Sequence, residues 1–125
     1  MPIIGIGTDI CEINRLQAVH DRHDERFAKR VLVAAELARY RTHSAPVTFL
    51  AKRFAAKEAI SKALGYGIGQ WVSFHDIEID NDAHGAPQVK LSGNAKLVLA
   101  NKGGSTIHLS LSDEKEYAVA FAIAE

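Results

Sequence analysis

Cysteine occurs once in this chain, as Cys11. No intrachain disulfide framework can form, and one sulfur cannot build a thiolate zinc site. Six histidines stand at positions 20, 23, 43, 75, 84 and 108, but no HExxH or similarly tight ligand spacing occurs. No GxGxxG is present either, so the paired glycines near the start make no dinucleotide fingerprint. The longest apolar runs fall well short of the ~20 residues a membrane helix needs. Met1-Pro2 leads into a short apolar run and then Asp9, without the basic leader of a secretory signal. The expectation is a cytoplasmic protein with no membrane span. Repeats and low-complexity tails are also missing.

What is present suits one domain over residues 1–125, with 47% hydrophobic content. The formal net charge of +0 hides an asymmetry. Residues 1–70 hold 11 Lys/Arg against 7 Asp/Glu, and residues 71–125 hold 4 against 8. The basic half is concentrated in Arg15, Arg22, Arg26, Lys29, Arg30, Arg39 and Arg41. Such a patch can steer an acidic partner, and an ordinary solvated helix surface would look the same. Nucleic acid is disfavoured: there is no basic tail, finger spacing or aromatic ribonucleoprotein motif, and the acidic half would repel phosphate.

The pattern predicts a strand over 3–10, a short helix over 13–19 and a longer helix over 24–41. After a break at 42–45, Pro46 opens a helix that runs to Leu64 and closes at Gly65. Strands follow over 72–79 and around Val89 and Leu91. Ser92 caps a helix through Asn101, and strands over 106–111 and 117–123 end the chain, joined by the charged SDEKE turn. This order predicts an α+β fold with an antiparallel sheet packed against helices. In the first strand Ile4, Ile6, Thr8 and Ile10 share one face. Gly5, Gly7 and Asp9 share the other, which leaves an open floor where a ligand could approach the backbone. His108 opposes the apolar face of its strand, and a structural role suits it as well as a functional one.

The helix segment FAAKEAISKALG carries the densest chemistry. Phe54, Glu58 and Lys62 form one i, i+4 row, with Arg53 and Lys57 on another side. Taken alone, Glu58 and Lys62 make a surface pair worth roughly 0.2–0.5 kcal/mol. Charges on more than one face of an alanine-rich helix also suit a helix covered by its own sheet and by a second subunit. If Asp9 meets Glu58, two hard carboxylates suit Mg²⁺, which keeps several waters and binds substrate phosphate.

GIGTDICEINR at 5–15, RFAAKEAISKALGYGI at 53–68, FHDIEIDNDAHGAPQV in the middle and HLSLSDEKEYAVAFAI at 108–123 resemble the short bacterial 4'-phosphopantetheinyl transferases, the holo-[acyl-carrier-protein] synthase family. The likeness spans essentially the whole chain. It implies transfer of 4'-phosphopantetheine from coenzyme A to a serine of apo-acyl carrier protein, releasing adenosine 3',5'-bisphosphate. It implies Mg²⁺ on Asp9 and Glu58, with Lys62 beside the phosphates. Asp9, Glu58 and Lys62 become the candidate catalytic set, and Arg53, Lys62, Gly65 and His108 the candidate coenzyme A contacts. Glu58 would also orient a water or accept the serine proton. The resemblance further implies a homotrimer with sites at subunit boundaries and carrier protein docked on Arg15, Arg22 and Arg26. Cys11 stands where the family often has a small aliphatic residue, and Ile60 and Ser61 where it varies. Two other readings remain open: a different Mg²⁺-dependent phosphate enzyme, and a non-catalytic trimeric interaction module.

Overall fold

The computed structural model describes residues 2–23 and 25–125. The chain begins with strand β1 (Gly5–Glu12), followed by helices α1 (Ile13–His23), α2 (Arg26–Val31), α3 (Ala34–Thr42) and α4 (Pro46–Ala63). A 3-10 turn at Phe74–Asp76 leads into the hairpin β2 (Ile77–Asn81) and β3 (Pro87–Leu91). Helix α5 (Gly93–Asn101) and strands β4 (Ile107–Asp113) and β5 (Tyr117–Ala124) complete the fold. β1, β5 and β4 form an antiparallel sheet with β5 in the middle, and β2–β3 stand apart as a second antiparallel pair. The expected α+β class and antiparallel pairing are found.

The 18-residue helix α4 is the axis of the molecule, lying across β1 and β5. Pro46 occupies its first turn, where a missing N–H costs nothing. At the other end Gly65 takes φ +91°, and the amides of Gly65 and Tyr66 close on the carbonyls of Lys62 and Ser61.

The side of the sheet that meets α4 is not the one the first strand suggests. The glycine floor is filled by the helix. A Cβ on Gly5 would overlap the carbonyl oxygen of Ala63, and one on Gly7 that of Ala59. Ala118, Ala120, Ala122 and Ala124 of β5 line the same buried side. Small residues on both surfaces let helix and sheet approach closely. The bulky alternation points outward: Ile6 is 62% exposed, Ile10 63% and Phe121 43%. Ile6 opposes Ile123, Thr8 opposes Phe121 and Ile10 opposes Val119, so these side chains form one uncovered apolar face.

The longer helix expected over 24–41 is two helices. Its first residue, Asp24, lies outside the described residues. The break falls at Leu32 and Val33, both extended (φ −100°, ψ 135° and φ −74°, ψ 169°). Glu36 reaches back to accept the Val33 N–H at 2.9 Å and so opens α3. Of the carbonyls that the break leaves over, Lys29's bonds His75 Nε2 at 2.8 Å and Val31's accepts Lys57 Nζ at 2.7 Å. Polar groups from distant elements thus hold the interruption in place. The expected strand over 72–79 likewise begins late, at Ile77, because Asp76 turns back to cap Ser73 and also accepts the Ala95 N–H.

Candidate active site

Asp9 lies on the helix-facing side of β1, two residues beyond Gly7. The close approach set by the glycines brings α4 alongside it. Lys62, in the last turn of α4, reaches across: its Nζ donates to Asp9 Oδ1 at 3.1 Å and to the Thr8 carbonyl at 3.0 Å. The surface pair expected between Glu58 and Lys62 is absent among the described residues, for Lys62 is drawn to the strand instead. Glu58 sits one turn before Lys62, half-buried. Burial pushes its carboxyl above the usual range, and the charge of Asp9 pushes it further, against a smaller opposing effect of Lys62. Residues far apart in sequence therefore share one electrostatic environment.

Neighbouring Cys11 is buried, and its thiol is pushed up to about 11 by burial first and by Asp9 second. It remains a neutral thiol at ordinary pH, a packing residue with no nucleophilic character.

Two carboxylates facing one edge, with a half-exposed lysine beside them, can hold a hard divalent cation against an anionic substrate. No cluster of three or more His, Cys, Asp or Glu able to hold a metal occurs among the described residues. A closed protein cage is therefore ruled out there. Two oxygen ligands completed by water and substrate phosphate fit Mg²⁺ and do not fit structural zinc.

The other candidate residues lie elsewhere in the single chain. Gly65 is at the end of α4, three residues past Lys62, beside Lys102. Arg53 is on the far side of α4, nine residues before Lys62, which is half a turn around and about 14 Å along the helix. It is 3% exposed and lies over the Phe49 ring at 4.6 Å. Together with Arg39, His43, Lys52 and Asn81 it lines a basic cleft of about 510 Å³. His108 is on the outer side of the sheet, opposite in face to Asp9, with Nε2 3.1 Å from Glu125. One chain thus unites Asp9, Glu58 and Lys62 but leaves Arg53 and His108 apart from them.

Arg15, Arg22 and Arg26 are exposed on α1 and α2. The basic patch is smaller than the sequence suggests, because Arg39 pairs with Asp80 at 3.0 Å and Arg41 with Glu25 at 2.7 Å. Sequence reasoning missed a buried pair behind Arg53, Glu36 with Lys57, in which Lys57 Nζ lies 2.6 Å from Glu36 Oε1. The available signal was Lys57 itself, a cation surrounded by alanines.

The likeness to known proteins covers the whole chain. A holo-[acyl-carrier-protein] synthase of Shewanella denitrificans is 54% identical over 125 residues, covering 100% of this chain and 99% of that one. The crystal structure of the holo-[acyl-carrier-protein] synthase of Neisseria meningitidis superposes with a TM-score of 0.93 at 42% identity, covering 99% of each chain. A holo-(acyl-carrier-protein) synthase of Bacillus anthracis, solved in complex with CoA (3',5'-ADP), gives a TM-score of 0.82 at 42% identity over 98% of this chain and 96% of that one. Residues 5–122 match the model of the 4'-phosphopantetheinyl transferase superfamily, and the chain belongs to that family.

Proposed function

We propose that this chain transfers 4'-phosphopantetheine from coenzyme A to a serine of apo-acyl carrier protein, yielding holo-acyl carrier protein and adenosine 3',5'-bisphosphate. The observation that carries the reading is the meeting of Asp9, Glu58 and Lys62 at one strand–helix edge. Phosphoryl transfer asks mainly for placement and relief of negative charge. Lys62 offers a mobile cation to the pyrophosphate, and Asp9 keeps it aimed. Asp9 and Glu58 would hold Mg²⁺, which supplies further charge neutralisation at the phosphates. The serine oxygen bonds to the phosphorus that carries pantetheine, and the bond from that phosphorus to the bridging oxygen of the nucleotide phosphate breaks. The serine proton passes to Glu58, directly or through a water.

The working unit in this reading is a homotrimer with each site shared between two copies. The uncovered face of Ile6, Ile10, Val119 and Phe121 supports it, because an apolar surface of this kind is normally covered. Its second support is the wall that α4 makes between Arg53 and Lys62 within one chain. A neighbouring copy would bring the Arg53 cleft, with His108, to the nucleotide held at Asp9 and beside Gly65 of the same chain. The cleft receives the 3'-phosphate of coenzyme A. Acyl carrier protein docks on Arg15, Arg22 and Arg26, where Val19, Phe27, Arg26 and Arg30 enclose an apolar dent of about 210 Å³. The protein works in the cytoplasm. No helix among the described residues is long and apolar enough to cross a membrane.

Asp9→Ala tests the catalytic assignment. The variant removes a carboxylate whose partner, Lys62, is half-exposed and can be taken up by water, so it should fold and lose transfer onto apo-carrier. Full transfer by folded Asp9→Ala in metal-stripped buffer would rule out the roles given to Asp9 and Mg²⁺.

A further inference from the structure

Arg53 is an unusual anion contact because it is almost wholly buried yet poorly bonded. Among the described residues its guanidinium makes one hydrogen bond, from Nη2 to Asn81 Oδ1 at 3.3 Å, and its Nε–H is buried without a partner. A guanidinium has five N–H donors. Most of its capacity is therefore unspent at the wall of the cleft. Burial drives its proton affinity down, and the neighbouring Glu36 restores part of it.

Glu36 is completely buried behind it, and both of its oxygens are bonded. Oε1 accepts from Lys57 Nζ at 2.6 Å and from the Val33 N–H, and Oε2 accepts from the Ile79 N–H at 2.9 Å. Oε2 also lies 3.6 Å from Arg53 Nε, close enough for charge compensation but outside hydrogen-bond geometry. Lys57 in turn spends its three protons on Glu36, Val31 and Phe74. Three bonds, from Lys57 and from the Val33 and Ile79 amides, hold the carboxylate short of a bidentate pair with Arg53, the strongest arrangement open to both. Lys57 supplies the one charged tether among them.

The charge count agrees. Among the described residues the interior holds two cations, Arg53 and Lys57, against one carboxylate, Glu36. At the rim of the cleft Arg39 is matched by Asp80 at 3.0 Å and Lys52 by Asp113 at 3.1 Å. The positive charge left over rests on Arg53, where it faces the cleft.

We propose that Glu36 and Lys57 are positioning residues for coenzyme A selection: the tethered carboxylate keeps Arg53 aimed and unspent, so that its guanidinium is free for a terminal phosphate monoester of the donor. This rests on the reading of the cleft as the 3'-phosphate site. It gives the enzyme a means to prefer coenzyme A over a donor lacking that phosphate, set by a pair that touches neither substrate.

The test compares kcat/KM for coenzyme A and for 3'-dephospho-coenzyme A in wild type, Arg53→Ala and the doubly neutral Glu36→Gln/Lys57→Gln. The doubly neutral protein retains polar groups at both positions and leaves Arg53, at the wall of the cleft, as the one charge of the three. The preference for coenzyme A should be lost in Arg53→Ala and should fall about tenfold in the doubly neutral variant, the size of one charge-assisted hydrogen bond weakened. The loss should lie mainly in KM, which a loosened fold alone would not confine to one donor. A folded Glu36→Gln/Lys57→Gln with wild-type preference overturns the proposal if Arg53→Ala has lost it. Wild-type preference in Arg53→Ala overturns the reading of the cleft itself. Glu36→Gln, the nearly isosteric single change, keeps the test decisive should the double variant not fold: it should lower the same ratio, and an unchanged ratio in the folded variant overturns the proposal.

Discussion

At the residue scale, charges in this protein are placed by what they touch rather than by their exposure. Lys57 is buried with all three of its protons bonded, and desolvation lowers its proton affinity while Glu36 opposes the fall. Removing one partner of such a pair strands the other in the interior. Lys57→Met should therefore lose about 3 kcal/mol of stability in urea unfolding, and an unchanged midpoint would contradict the account. Glu25 is the surface counterpart. Its carboxyl is held below the usual range chiefly by a hydrogen bond from Arg41, made through two contacts of 2.9 and 2.7 Å. The sign follows from linkage: the folded state keeps this group ionised to lower pH than the unfolded chain does. Its contribution is complete above the ordinary value of 4.5 and disappears as pH falls through the lowered one. Wild type should melt above Glu25→Gln at about pH 6, and the gap should narrow as the pH is taken down through the acid range. A constant gap throughout would refute the pairing.

At the scale of elements, the governing contact is α4 on β1. The two glycines in the opening strand serve the helix, whose carbonyls at Ala59 and Ala63 occupy the space a side chain would need. Gly7→Ala must push backbone against backbone, and it should cost about 3 kcal/mol or more in unfolding experiments. Because the same contact brings Lys62 to Asp9, transfer activity should drop even where the variant remains folded. Full stability in Gly7→Ala would show that the approach is looser than described. The strand also shows what was legible in the sequence. Its period, direction and acid could be read directly, as could the Pro46 start and Gly65 stop of α4. The sidedness could not, because alternation of large and small residues states that two faces differ without stating which one is covered. Here the small residues face inward. The break at Leu32–Val33 was hidden for a related reason. It is held by His75, Lys57 and Glu36, and nothing local in the sequence announces those distant partners.

At the scale of the whole molecule, the acid–acid–lysine set was legible because paired motifs carried it, while the cleft behind Arg53 required the folded chain. In one copy the two halves of the proposed site stand on opposite sides of α4. A trimer that shares sites makes a distinctive prediction: two impaired variants, Lys62→Ala and Arg53→Ala, assayed at low coenzyme A, should regain activity when they are mixed and allowed to exchange subunits. Equal amounts should recover about a quarter of the sites in closed cyclic assemblies. No recovery, with exchange verified, would mean that each chain carries its own complete site. The most direct measurement is the intact mass of apo-acyl carrier protein after incubation with this protein, coenzyme A and Mg²⁺. The account predicts a gain equal to one phosphopantetheine group, with adenosine 3',5'-bisphosphate released, and no gain with Asp9→Ala. An unchanged carrier mass with the folded wild-type protein would contradict it.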